Sequence, residues 1–105
     1  MTPNEWHRIV EARDLQDVPR LVLATNAAGE AFWILDARST GDFDPDSPIY
    51  TLHDAGHRLE EALARFALHG ADPASLPPFG CIPVAHVLFD ETRREALKLT
   101  SPPIT

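Results

Sequence analysis

The chain has one cysteine, Cys81, in 105 residues. A single thiol excludes an intrachain disulfide and a zinc site built on several thiolates. Basic side chains are also scarce: nine Lys and Arg stand against sixteen Asp and Glu, a formal charge of −7. That imbalance repels phosphate backbones and anionic lipid, so nucleic acid and membrane surfaces are not expected partners. No apolar run approaches the ~20 residues that cross a bilayer, and the first residues lack the apolar core of a signal peptide. A cytoplasmic protein is expected. A Gly-rich phosphate loop and the Gly-x-Ser-x-Gly elbow of a serine hydrolase are missing too.

What is present is enough apolar content, 44%, for one modest core in a single domain spanning residues 1–105. Thr2-Pro3-Asn4-Glu5 has the form of a helix start, with Thr2 as cap and Pro3 in the first turn. Trp6, Ile9 and Val10 would follow on one face of a short N-terminal helix ending near Asp14. Residues 20–25 and 31–37 are compact apolar runs separated by Asn26 to Glu30, a hairpin pattern. Residues 48–53 alternate, with Ile49, Thr51 and His53 on one face and Tyr50 and Leu52 on the other. From 57 to 69, Leu59, Ala62, Leu63, Phe66 and Ala67 repeat with helical spacing, and Gly70 is a plausible stop.

After a proline-rich connection, residues 82–89 read as one further strand, which Pro83 assigns to a sheet edge or a strand start. Residues 91–100 fit either a helix capped by Asp90 or a strand partner. The tail 101–105 is expected to fray. The fold class that follows is α+β. It is a mainly antiparallel sheet of four or five strands, with the N-terminal helix and a central amphipathic helix packed on it.

Candidate chemistry is thin. Asp42, Asp44 and Asp46 alternate like the start of a calcium loop, but Ser47 stands at the glycine position and His53 at the closing glutamate position. A surface turn is the expectation. His53, Asp54 and His57 suggest a small metal-dependent hydrolase, with His86 as a further member. Against that, Gly56 breaks the helix that would align the two imidazoles, and no third ligand has recognisable spacing. A strand-to-helix corner with Asp54 as cap is expected instead, with no metal and no cofactor. Cys81 and His86, five apart on one strand, would face opposite ways and form no dyad.

Phe32 and Trp33 are adjacent, so a strand sends them to opposite faces and only one lies under the helix. The other is an exposed anchor or meets a second cover. The leading expectation is a non-catalytic protein-binding module for a basic partner. Its candidate contacts are Trp33, Asp42, Asp44, Asp46, Glu60 and Glu61. A homodimer pairing through residues 84–89 or exposed aromatics is a further alternative.

Residues 21–68 resemble the latter half of the SUKH immunity-protein superfamily. The parts that carry this are 21–26, Gly29-Glu30, 32–36 ending in Leu-Asp, 48–54 ending in His-Asp, and the amphipathic run 59–66. The resemblance implies an α+β fold that binds a protein partner, commonly a toxin domain, and it implies no catalytic residue. The chain departs from the family's pattern in its short N-terminal region and in the segment after Gly70.

Overall fold

Alternation, not helical spacing, governs the start of the chain. In the computed structural model, which describes residues 1–15, 19–38, 48–92 and 94–104, Trp6–Leu15 is a strand, β1. It pairs antiparallel with β2, Pro19–Thr25, and the register slips between Ile9 and Glu11. Ile9 lies opposite Ala24 and Ala12 opposite Val22. The bulge spaces the inward residues Ile9 and Ala12 three apart, while Val10 turns to the outer cluster and Trp6 to solvent. The three apolar residues that suggested one helical face are therefore divided between the faces of a strand. The expected N-terminal helix is corrected on this ground. Asn4 turns the chain with a positive φ of 63°, and Trp6 is 45% exposed instead of anchoring a helix.

The hairpin over residues 20–37 is present. β2 pairs with β3, Phe32–Asp36, and the Asn26–Gly29 turn closes with Gly29 at φ 69°. β3 pairs in turn with β4, Ile49–Asp54, whose alternation is as the sequence indicates: Tyr50 and Leu52 face one way, Thr51 and His53 the other. The helix α1 covers Leu59–Ala71, with Arg58 at its N-cap and no side-chain cap. Asp54 does not cap it. Its Oδ1 accepts the Gly56 N–H at 2.8 Å, holding a corner in which Gly56 adopts φ 91°. A side chain at Gly56 would be strained and would meet the Glu61 carboxylate.

The run expected as one strand over 82–89 is two. β5, Gly80–Pro83, pairs with β4; a 3₁₀ turn occupies Val84–His86; β6, Val87–Phe89, pairs with β7, Ala96–Leu99. Residues 91–100 thus end in a strand. The Asp90 carboxylate accepts the backbone N–H groups of Thr92, Glu95 and Ala96, which stabilises the hairpin turn and not a helix start.

The result is one seven-stranded sheet in the order β5-β4-β3-β2-β1-β7-β6, not four or five strands under two helices. The chain passes directly from β5 at one edge to β6 at the other, so the sheet must curl. The 84–86 turn bonds both sides: Val84 N–H donates to Pro48 O, and Thr100 N–H to His86 O. Ile9, Val22, Leu35, Tyr50, Leu52, Ile82, Leu97 and Leu99, drawn from six strands, meet in one inner core. Tyr50 reaches Phe89 across the curl, with ring centroids 6.5 Å apart. On the outer face, α1 covers a second, smaller cluster of Leu21, Leu23, Phe32, Ile34 and Ala55, through Ala62 and Phe66.

This geometry rotates the buried strip of the helix. Ala62, Phe66 and His69 are buried, while Leu59 and Leu63 lie exposed. No helix among the described residues is long and apolar enough to cross a membrane.

Candidate functional site

Two arrangements of polar side chains stand out: a buried cluster between sheet and helix, and an open depression at one end of the curl.

The buried cluster begins with Asp36 at the end of β3. Its Oδ1 accepts from Arg38 N and Nε, and its Oδ2 from Arg38 Nη2 and His69 Nε2, at 2.8–3.1 Å. Arg38 also donates to the carbonyls of His69 and Gly70 at the C-terminal end of α1, at 3.1 and 2.9 Å. One guanidinium therefore ties the last turn of the helix to the strand, satisfying carbonyls that a helix end leaves open. His53 lies against His69 with ring centroids 4.2 Å apart. Its Nδ1 approaches Leu76 O at 3.0 Å; a carbonyl only accepts, so this nitrogen donates, and Nε2 faces the Thr51 hydroxyl at 2.9 Å. His53 thereby holds the 72–79 connection against β4.

Asp36, His53 and His69 bring ligand atoms within 4.8 Å of one another, a spacing compatible with a cation. The donor set argues against one. The carboxylate already accepts on both oxygens from the Arg38 guanidinium and His69. His69 Nδ1 is the one atom of this trio that is buried without a partner. The arrangement is a polar clamp in which Arg38 and His69 share the Asp36 carboxylate.

Two clamp residues, together with His7 beside Trp33, bear on the acid sensitivity of the fold. Burial, and then the neighbouring His69, pull the His53 pKa below the ordinary histidine value of 6.5, and burial does the same to His7. Burial alone would raise the Asp36 carboxyl, but hydrogen bonds from Arg38 and His69 more than offset it, leaving it below the ordinary 3.8. All three folded-state values are depressed. In each case the unfolded chain takes up the proton first, so stability is full above the unfolded value and falls as pH drops through the folded one. Urea unfolding should therefore show loss of stability as pH falls below 6.5, with a second loss below 3.8. His53→Gln should make the first stage shallower, leaving the part that His7 contributes. An unchanged slope in that variant would remove His53 from the account.

The open depression encloses about 320 Å³ and is lined by Ala31, Trp33, Asp54, His57 and Phe79. Register creates it. Trp33 lies directly opposite Asp54 on β4 and Ala24 on β2, so a large ring stands between a carboxylate and a methyl group on the inner face. His7 packs against Trp33 edge-on, with centroids 5.5 Å apart. Phe79 enters from the connection before β5, its N–H donating to Leu52 O at 2.8 Å. His57 leaves the Gly56 corner and points Nδ1 at Glu30 O, 3.0 Å away.

Of the residues expected to carry function, Trp33 is half-buried at this mouth. Asp42, Asp44 and Asp46 lie outside the described residues. Glu60 and Glu61 are exposed on the first turn of α1. Glu61 forms a loose 3.9 Å pair with Arg65 between half-exposed side chains, worth little in water. The hydrolase trio does not assemble: His53 is buried in the clamp, while Asp54 and His57 belong to the mouth. Cys81 and His86 occupy different elements, and His86 pairs with Ser101 Oγ at 2.9 Å. The homodimer segment contains the edge strand β6, with Leu88 47% exposed.

Asp36, Arg38, His69 and Phe79 are the participants that sequence patterns miss. The only local sign of the clamp is Asp36 and Arg38 two residues apart after an apolar strand. His69 is hidden because a helical pattern counts apolar residues only.

The chain is thus an α+β domain built on a curled antiparallel sheet with one outer helix and an open, aromatic-lined mouth. No protein-family model, curated protein or solved structure matches it.

Proposed function

We propose that the protein is a non-catalytic binding module for a basic protein partner, with the Trp33 mouth as its anchor point. The observation that carries this reading is the half-buried Trp33, set beside a carboxylate and a second aromatic ring in the described depression. Aromatic side chains in partly open pockets are the typical energetic centres of protein interfaces. The charge of −7 favours a basic counterpart by speeding encounter and rejecting acidic ones. An immunity-type role, with a toxin domain as that partner, is the particular form suggested by the resemblance of residues 21–68.

The test compares two immobilised baits, wild type and Trp33→Ala, at low and raised salt. The expected result is a basic protein retained by wild type, lost from Trp33→Ala and released by salt. Equal capture by both baits, or capture indifferent to salt, would overturn the reading.

A further inference from the structure

The mouth is selective in its hydrogen-bonding character. His57 Nδ1 faces the Glu30 carbonyl, and a carbonyl accepts only, so the ring proton sits there and Nε2 carries the lone pair. Asp54 contributes a carboxylate of which one oxygen already accepts Gly56 N–H. These two side chains of the lining therefore take hydrogen bonds from a guest. Trp33 and Phe79 add two aromatic rings, whose faces attract cations. Glu61 leans over Gly56 at the adjoining corner, where Arg65 faces it at 3.9 Å and reaches the Asp54 carbonyl at 3.5 Å, so the free negative charge of the mouth is the Asp54 carboxylate. His7, fully buried, braces Trp33 edge-on, so the ring is positioned before any ligand arrives.

A guest for such a site donates hydrogen bonds, is positively charged and presents a flat surface to a ring. Arginine meets all three conditions. Its guanidinium is planar, stacks on aromatics and forks onto a carboxylate, whereas an ammonium is compact and strongly hydrated. We propose that the depression receives an arginine side chain presented by the partner, stacked on Trp33 and paired with Asp54. This rests on the binding-module reading and narrows it to one side-chain class.

The experiment titrates ¹⁵N-labelled protein with the peptide acetyl-Gly-Arg-Gly-amide, and in parallel with its lysine and citrulline counterparts. Citrulline keeps the shape of arginine and removes the charge. The expected result is saturable shifts of the Trp33 indole and the Gly56 and His57 amides with the arginine peptide. Lysine should bind more weakly and citrulline should leave these signals unmoved. Asp54→Asn retains the acceptor for Gly56 N–H, so it leaves the corner intact and should weaken arginine binding about tenfold. Trp33→Leu should weaken it comparably, and the spectrum itself reports whether each variant is folded.

Shifts scattered away from the mouth, or equal binding of citrulline or lysine, would overturn the proposal. If a captured partner depends on Trp33 while the arginine peptide does not bind, the binding-module reading stands and this inference falls. If neither binds, both fall.

Discussion

Replacing Asp36 with alanine should lower the unfolding free energy by about 3 kcal/mol, the low end of the range for removing one partner of a buried ion pair. The Asp36 side chain is 5% exposed and that of Arg38 is 21% exposed. The orphaned guanidinium can recover some hydration, which is why the low end applies. His69 cannot, since its side chain is fully buried and its Nε2–H would lose its acceptor. Asp36→Asn should cost less, because an amide oxygen still receives one of the donors. Urea unfolding near neutral pH measures both, with the transition slope expected to stay unchanged. A loss below about 1 kcal/mol in Asp36→Ala would mean that the clamp adds little beyond a surface pair. The same variant should raise hydrogen exchange in the last turn of α1, because Arg38 joins Asp36 to the carbonyls of His69 and Gly70.

Phe66→Ala should have a comparable effect, about 3–4 kcal/mol, by the usual cost of emptying a buried aromatic site. Phe66 is fully buried and, with Ala62, is the apolar footing of α1 on the outer face of the sheet. Arg13 lies over its ring, 4.9 Å from the centroid, so the truncation also removes a cation–π contact. Leu63→Ala is the informative contrast. The sequence periodicity treats Leu63 as equivalent to Phe66, yet Leu63 is 39% exposed, and its truncation should cost under about 1 kcal/mol. Equal losses at the two positions would place the buried strip of the helix elsewhere.

These variants bear on function through the connection that follows the helix. His53 bonds Leu76 O within that connection, and Phe79 at its end forms a wall of the mouth. Trp33 itself rests on the strand register and on His7. The mouth therefore joins a rigid wall built on the sheet to a wall carried by a loop that the buried histidine fastens. Rigid placement of an aromatic anchor reduces the ordering cost of binding.

How much of this was legible differs by segment, for a physical reason in each case. The 20–37 hairpin and the β4 alternation rest on side-chain period and turn residues, both local properties, and sequence shows them directly. Residues 6–12 mislead because Trp6, Ile9 and Val10 have helical spacing, yet in the bulged strand Trp6 is exposed, Ile9 faces the inner core and Val10 the outer cluster. Residues 82–89 mislead because a continuous apolar run does not say that the chain leaves one sheet edge and enters the other. The back-to-back Phe32 and Trp33 are legible as a pair. Phe32 joins the core beneath α1 and Trp33 faces the inner curl.

By itself, the sequence determined the acidic charge, the absence of an intrachain disulfide, the central hairpin, the faces of β4 and the presence of the helix, though not its end, since α1 runs through Gly70 to Ala71. Each depends on composition or on neighbours a few residues apart. Only the tertiary structure decided that seven strands curl into one sheet, that Asp36 meets His69 thirty-three residues away, and that Trp33 stands beside Asp54 at an open mouth. Those outcomes depend on strand register and on which edges meet, and pairings between distant segments leave no periodic trace in a single chain.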